Sequence, residues 1–168
     1  MVQVRHLSID DFAAVRYVHS AAVAAMSPGR YAPADVKAFG EFVRSPRYAD
    51  LLLGNPSYAA WIDNELIGTA AWSPGEAPSP TARILGVFVQ PLFAGAGVGR
   101  LLVERVESEA LAAGYRAINL SATLNAEGFF DALGYRATGQ GGWALPSGHE
   151  IPVVLMRKLL ATEEHAAL

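Results

Sequence analysis

The chain contains no cysteine. That absence excludes disulfides, thiolate metal sites and a cysteine nucleophile. No apolar run reaches the roughly eighteen residues that a membrane-spanning helix needs, so no membrane partner is expected. Basic residues are also scarce. Thirteen Lys and Arg against sixteen Asp and Glu leave a net charge of −3, which removes the electrostatic case for nucleic acid. The start, Met1-Val2-Gln3-Val4-Arg5-His6, lacks a signal peptide's apolar core, and a cytoplasmic location is expected. His6 has no partner at metal-ligand spacing, so no metal is expected either. Charged residues make only 17% of the chain and hydrophobic ones 52%, too apolar a balance for disorder. Its 168 residues suit one domain with one substantial core, expected over 1–160, with a flexible tail over 161–168.

What is present centres on one segment. Val87-Phe88-Val89-Gln90-Pro91 reads as an apolar strand ended by proline. Gly95, Gly97 and Gly99 follow at spacings of two, and an amphipathic helix begins at Val98. A strand feeding a glycine-rich turn and a helix N-terminus builds an anion cradle. Unpaired N–H groups point outward there, and the helix dipole adds about half a positive charge. Glycine lets the backbone approach a phosphate where a Cβ would collide. The segment therefore suits the diphosphate of a nucleotide cofactor.

Spacing separates the candidates. A dinucleotide fingerprint asks for glycine at its first, third and sixth positions, with an acid about twenty residues on. Counted from Gly95, Gly97 fits the third position, the sixth is Arg100, and no carboxylate stands near Ser121, where the next strand ends. A P-loop needs Gly-Lys-Ser/Thr, which the chain lacks. Both readings fail.

The segment resembles the acyl-CoA loop of the GNAT N-acetyltransferase superfamily, Gln/Arg-x-x-Gly-x-Gly/Ala. Gly97 and Gly99 match its small positions and Val98 the aliphatic one, whereas Ala94 replaces the usual Gln or Arg. A second block, Asn125 to Tyr135, is similar to the family's Asn-x-x-Ala/Gly-x-x-Phe-Tyr-x-x-x-Gly-Phe/Tyr. The two blocks stand in the family's order, about thirty residues apart. The resemblance implies acetyl-CoA as cosubstrate, its diphosphate held by Ala94, Gly95, Ala96, Gly97, Val98, Gly99 and Arg100. Val87, Phe88 and Val89 would meet the pantetheine arm as an added strand would. Asn125 would bond that arm or cap its own helix.

Hydrophobic periodicity predicts strands over 2–7, 58–62, 66–72, 82–89, 116–122, 135–145 and 150–158. Helices are predicted over about 8–26, 34–53 with an interruption at Pro46, 98–113 and 124–133. Ser8 and Asp11 form a capping-box pair. Val98, Leu102, Val106 and Leu111 carry the apolar stripe of the third helix, and Gly114 stands at its C′ position. This is the element order of the GNAT fold. The resemblance implies an α/β architecture with a central twisted mixed sheet of about seven strands. About four helices cover both faces, and the sheet splays between its fourth and fifth strands.

The family transfers an acyl group by direct attack of an amine on the thioester, with no protein nucleophile. The resemblance implies a backbone N–H at Phe88 or Val89 for the developing oxyanion. Two departures bear on proton movement. The glutamate frequent on the family's central strand is absent here, since Arg83 is the only charged residue between Thr81 and Val89. Glu76, His149 and Glu127 are the remaining candidates for the base. The tyrosine frequent in the short helix as general acid is Phe130, and Tyr135 is the nearest substitute. The resemblance implies a small-molecule or peptide amine as the acceptor. Tyr31 and Trp143 are candidates for its pocket, with core packing as the alternative for Tyr31. A homodimer is compatible with the sequence. The second reading is a non-catalytic acyl-CoA-binding module, motivated by Ala94, Phe130 and the missing glutamate.

Overall fold

Twelve regular elements build one open mixed sheet covered on both faces in the computed structural model, which describes residues 1–75 and 80–160. In chain order they are β1 (Val2–His6), α1 (Phe12–Ala24), α2 (Pro33–Val43), α3 (Pro46–Leu53), β2 (Ser57–Ile62), β3 (Glu65–Ser73), β4 (Thr81–Val89), α4 (Val98–Ala112), β5 (Ala117–Thr123), α5 (Glu127–Ala132), β6 (Arg136–Ala144) and β7 (Glu150–Leu159). The strands lie in the order β1-β2-β3-β4-β5-β7-β6, and only β4 with β5 runs parallel. The tail expected over 161–168 lies outside the described residues. Among the described residues, no helix is long and apolar enough to cross a membrane.

Local chemistry explains the helix boundaries. The Ser8 hydroxyl accepts the Asp10 N–H at 3.3 Å and the Asp11 carboxylate accepts the Ser8 N–H at 2.8 Å. This reciprocal cap starts a 3-10 turn that leads into α1. Where one interrupted helix was expected over 34–53, two form. Pro46 cannot donate inside a helix but suits its first position. Ser45 caps α3 by accepting the Tyr48 N–H at 3.3 Å. The described chain thus has five α-helices rather than four.

Two cores sandwich the sheet. On one face α4 buries Val98, Leu102, Val103, Val106 and Ala110, α5 adds Phe130, and Leu133 follows just after it. On the other face α1, α2 and α3 bury Val15, Val18, Phe39, Val43, Tyr48 and Leu52. Leu111, expected in the α4 stripe, is 42% exposed. It lies about 100° around the helix from Ala110, which completes the stripe instead.

The sheet opens next to its centre. β4 pairs with β5 only from Thr81↔Ala117 to Arg83↔Asn119. The cause sits three residues on. On β3, Ala71 opposes Leu85 and Thr69 opposes Phe88, so Gly86 and Val87 together face one residue, with Gly86 at φ +63°. A bulge of this kind bends its strand and steepens the twist. β4 therefore leans away from β5 and leaves a wedge.

Candidate functional site

The glycine segment forms the turn its sequence predicts, with one correction. Behind Pro91 the chain makes a 3-10 turn, and two amides are spent inside the loop. Ala94 N–H donates to Pro91 C=O at 3.1 Å and Ala96 N–H to Phe93 C=O at 3.2 Å. Ala94 and Ala96 are therefore not anion donors. No hydrogen bond among the described residues takes up the N–H of Gly95, Gly97, Val98, Gly99 or Arg100, and the first α4 bond is Leu101 N–H to Gly97 C=O. Five free amides thus converge at the start of a fifteen-residue helix, where the dipole favours an anion. Gly95 and Gly97 adopt φ +81° and +83°, and a Cβ at either would meet nothing within 4 Å. The cradle is open on that side, which fits a diphosphate. Gly99 serves packing as well, since a Cβ there would lie 2.9 Å from the Phe129 ring.

The open edge of β4 points into the wedge. Gln90 N–H bonds Ile67 C=O at 2.8 Å, and the register places Phe88 opposite Thr69. Hydrogen-bonded pairs alternate in antiparallel ladders, so the Phe88 amide faces β3. Phe88 N–H is thereby excluded as the free donor expected of it. The peptide groups of Val89 face the other way, toward the departed β5. The Phe88 side chain takes a different role as a cavity wall.

That cavity, of about 440 Å³, occupies the wedge. Leu120 to Thr123, Ala126 and Phe130 line one flank. Phe39, Tyr48, Phe88 and Trp143 line the other, with Arg83 and Ser73 nearby. Trp143, a candidate for the acceptor pocket, lines this cavity, and its ring meets Phe39 edge-on at 5.4 Å. Phe130 is buried and stacks edge-on against Tyr135. No carboxylate and no histidine is among the described lining residues.

The remaining candidates sit elsewhere. The Tyr31 hydroxyl donates to Pro152 C=O at 2.6 Å and accepts the Leu124 N–H at 2.9 Å. Its one proton and one lone pair tie the α1–α2 connection to β7 and to the turn after β5, and Tyr31 is not among the described residues lining the cavity. The Tyr135 hydroxyl donates to Glu107 at 2.8 Å, and burial followed by that carboxylate pushes its pKa far above the phenol value. With its proton on Glu107 and its side chain outside the described cavity lining, Tyr135 is not placed to serve as the substitute acid. His149 is joined to Asp35 at 2.7 Å, beyond the cavity. Asn125 is exposed and shares a shallow depression with Glu127, Gly128 and Arg30. Glu76 lies outside the described residues.

Sequence reasoning missed the support behind the bulge. Thr69 Oγ1 donates to Gly86 C=O at 2.8 Å, so its single proton is used, and His19 Nε2, 2.6 Å away, must donate to it. This fixes the Nε2–H tautomer of His19 and leaves Nδ1 buried without a partner among the described residues. The hydroxyl of Tyr48, whose ring meets His19 edge-on at 5.3 Å, is also buried and has no partner among the described residues. Gly86, an isolated glycine in an apolar strand, was the available signal for the bulge. His19 and Thr69, fifty residues apart, carry no local one.

The buried imidazole has a measurable consequence. Burial pushes the His19 pKa down to about 3, against roughly 6.5 in an unfolded chain. Between those values the unfolded state binds a proton that the folded state refuses, so stability falls as pH drops below 6.5. The slope is about 1.4 kcal/mol per pH unit. Urea unfolding at pH 7 and pH 5 is expected to show a loss of roughly 2 kcal/mol that His19→Gln lacks. Equal losses in both proteins would remove His19 as the cause.

The acetyltransferase (GNAT) family model matches residues 27–135. No curated protein sequence matches the chain. Among solved structures, a GCN5-related N-acetyltransferase from Rhodopseudomonas palustris superimposes with a TM-score of 0.81 at 22% identity, over 94% of each chain. The PaiA N-acetyltransferase of Thermoplasma acidophilum, solved with coenzyme A, gives 0.74 at 15% identity over 95% of this chain and 99% of that one. The ribosomal-protein-S18-alanine N-acetyltransferase of Escherichia coli gives 0.65 at 16% identity over 96% of each chain. At such identities the likeness is one of fold.

Proposed function

This chain belongs to the acetyltransferase (GNAT) family, and we propose on that premise that it moves an acetyl group from acetyl-CoA to an amine of a small molecule or peptide. One observation carries the reading. Five free amides at the start of α4 stand at the end of the same strand whose open edge borders the wedge. An anion grip and an unpaired strand edge in that succession suit a long cosubstrate with a diphosphate at one end.

Bound acetyl-CoA supplies the acyl group already activated as a thioester. The chain's own residues hold and orient. Gly95, Gly97, Val98, Gly99 and Arg100 offer their N–H groups to the diphosphate, and Val89 N–H is the donor available to a carbonyl oxygen on the open edge. Phe130 and Ala126 give the wedge an apolar flank that excludes water. Phe39, Phe88 and Trp143 wall the acceptor side. Positioning of this kind can supply several kcal/mol of the barrier. Phe130 has no proton to give, and thiolate departure without an acid is tolerable at a thiol pKa of about 8.5.

Phe130 at the usual acid position, and a cavity without carboxylate or histidine among its described lining residues, favour a second reading, a binding module without turnover. Calorimetric titration with acetyl-CoA, followed by thiol release over a panel of amines, decides. Binding with thiol release supports the transferase. Binding with no release on any amine assigns the module, and absence of binding overturns both.

A further inference from the structure

From the acceptor side of the cavity we infer that the amine substrate is an elongated anionic arylamine, its ring between the aromatic walls and its anion on Arg83. The inference rests on the transferase reading above and narrows its acceptor class.

Three rings shape the slot. Phe39 meets Phe88 edge-on at 5.9 Å and Trp143 edge-on at 5.4 Å, and all three line the cavity, where an aromatic guest would find ring partners. Arg83, an exposed residue of β4, lines the same cavity, and its guanidinium has no ion pair or hydrogen bond to the described residues. Cavities with one unpaired guanidinium and low-dielectric walls concentrate anions and repel cations.

That charge pattern decides the kind of amine. An alkylamine, with pKa about 10.4, arrives as a cation, and its deprotonation at pH 7 costs roughly 4–5 kcal/mol. It would enter beside a guanidinium and find no carboxylate or histidine among the described lining residues to take its proton. An amine bonded to an aromatic ring delocalises its lone pair and is neutral at pH 7. It needs no base before attack. As its nitrogen bonds the thioester carbon, the carbon–sulfur bond breaks and the thiolate leaves; the proton lost from nitrogen passes to water.

Length follows from β4. Arg83 and Val89 stand six residues apart, up to about 20 Å along the strand. The nitrogen and the anion therefore belong at opposite ends of the molecule, with the ring between them.

The test compares thiol release with 4-(4-aminophenyl)butanoate and 4′-aminobiphenyl-4-carboxylate, which are long enough to span much of that distance, their methyl esters, and benzylamine. The carboxylates are expected to exceed their esters in kcat/KM by about 10- to 100-fold, the size of a hydrogen bond to a charged group. That preference is expected to collapse toward unity in Arg83→Gln, through KM, and to return in part in Arg83→Lys. The arylamine rate is expected to stay flat between about pH 6.5 and 8.5, where an alkylamine's would climb about tenfold per unit. Preference for benzylamine, or an unaltered carboxylate preference in Arg83→Gln, overturns the inference. So does acetyl-CoA binding with neither turnover of the carboxylates nor their calorimetric binding to the loaded protein. Failure to bind acetyl-CoA at all would sink the transferase reading instead.

Discussion

Gly97→Glu is expected to weaken coenzyme A binding by more than a hundredfold while lowering the melting temperature by only a few degrees. The substituted side chain would project from the mouth of the cradle, where a Cβ meets nothing within 4 Å, so no packing is lost. Its cost to the fold is conformational. Gly97 sits at φ +83°, and a side chain there costs about 1–2 kcal/mol. A carboxylate near a helix N-terminus returns up to about 1 kcal/mol of that through the dipole. In a domain of this size, about 1 kcal/mol moves Tm by roughly 2–4 °C. Binding suffers far more. Placing a carboxylate against a diphosphate opposes like charges across a close contact, at several kcal/mol. Gly97→Ala separates the two effects, since it carries the strain without the charge and should keep most of the affinity. Calorimetry with coenzyme A and thermal melts on all three proteins make the measurement. Unchanged affinity in the glutamate variant would move the diphosphate away from these amides.

The glycine segment shows how far local sequence reaches. Gly95 and Gly97 are needed because the chain turns through positive φ there, a requirement that residue type alone announces. The helix after them, its cap at Gly114 and the proline that ends β4 are equally local. Which amides remain free is not. Ala94 and Ala96 lose theirs to the 3-10 turn behind Pro91, and turn type is decided by a few degrees of ψ. The roles of Phe88 and Val89 were legible only as a pair. A single extra residue at Gly86 reverses the parity of everything after it, and parity decides which amide faces β3 and which the wedge. The cavity wall was legible only in part. Trp143 stood out beside Gly141-Gly142, whereas Phe39 and Tyr48 come from two helices and each reads alone as ordinary core. Tyr31 and Tyr135 erred in the opposite direction. Their hydroxyls suggest chemistry, but long-range partners at Pro152, Leu124 and Glu107 had already taken them.

The bulge is the feature whose loss should be felt most widely. Gly86→Val is expected to destabilise the protein by about 3 kcal/mol and to reduce acetyl transfer by more than a hundredfold. Coenzyme A affinity should change much less. The residue stands at φ +63°, where a β-branched side chain is a genuine outlier. Its Cβ would also lie 2.8 Å from Leu52 Cδ2 and 3.5 Å from Tyr48 Oη, both in fully packed side chains. Strain of about 1–2 kcal/mol and overpacking of about 1–3 kcal/mol add to the stated cost. That corresponds to roughly 6–12 °C in Tm. The strand can escape by expelling the extra residue, but the escape carries its own consequence. A one-residue slip turns Phe88 toward α4 and swings the Val89 amide from the wedge to β3. It also draws Gly86 C=O away from the Thr69 hydroxyl that His19 holds in place. The five free amides at α4 are untouched by that slip, which is why affinity and turnover should part company. Thermal melting, calorimetry with coenzyme A and kcat/KM for acetyl transfer make the comparison. A folded Gly86→Val protein with wild-type turnover would show that the donor on β4 does not depend on the bulge, and the assignment of Val89 would fall with it.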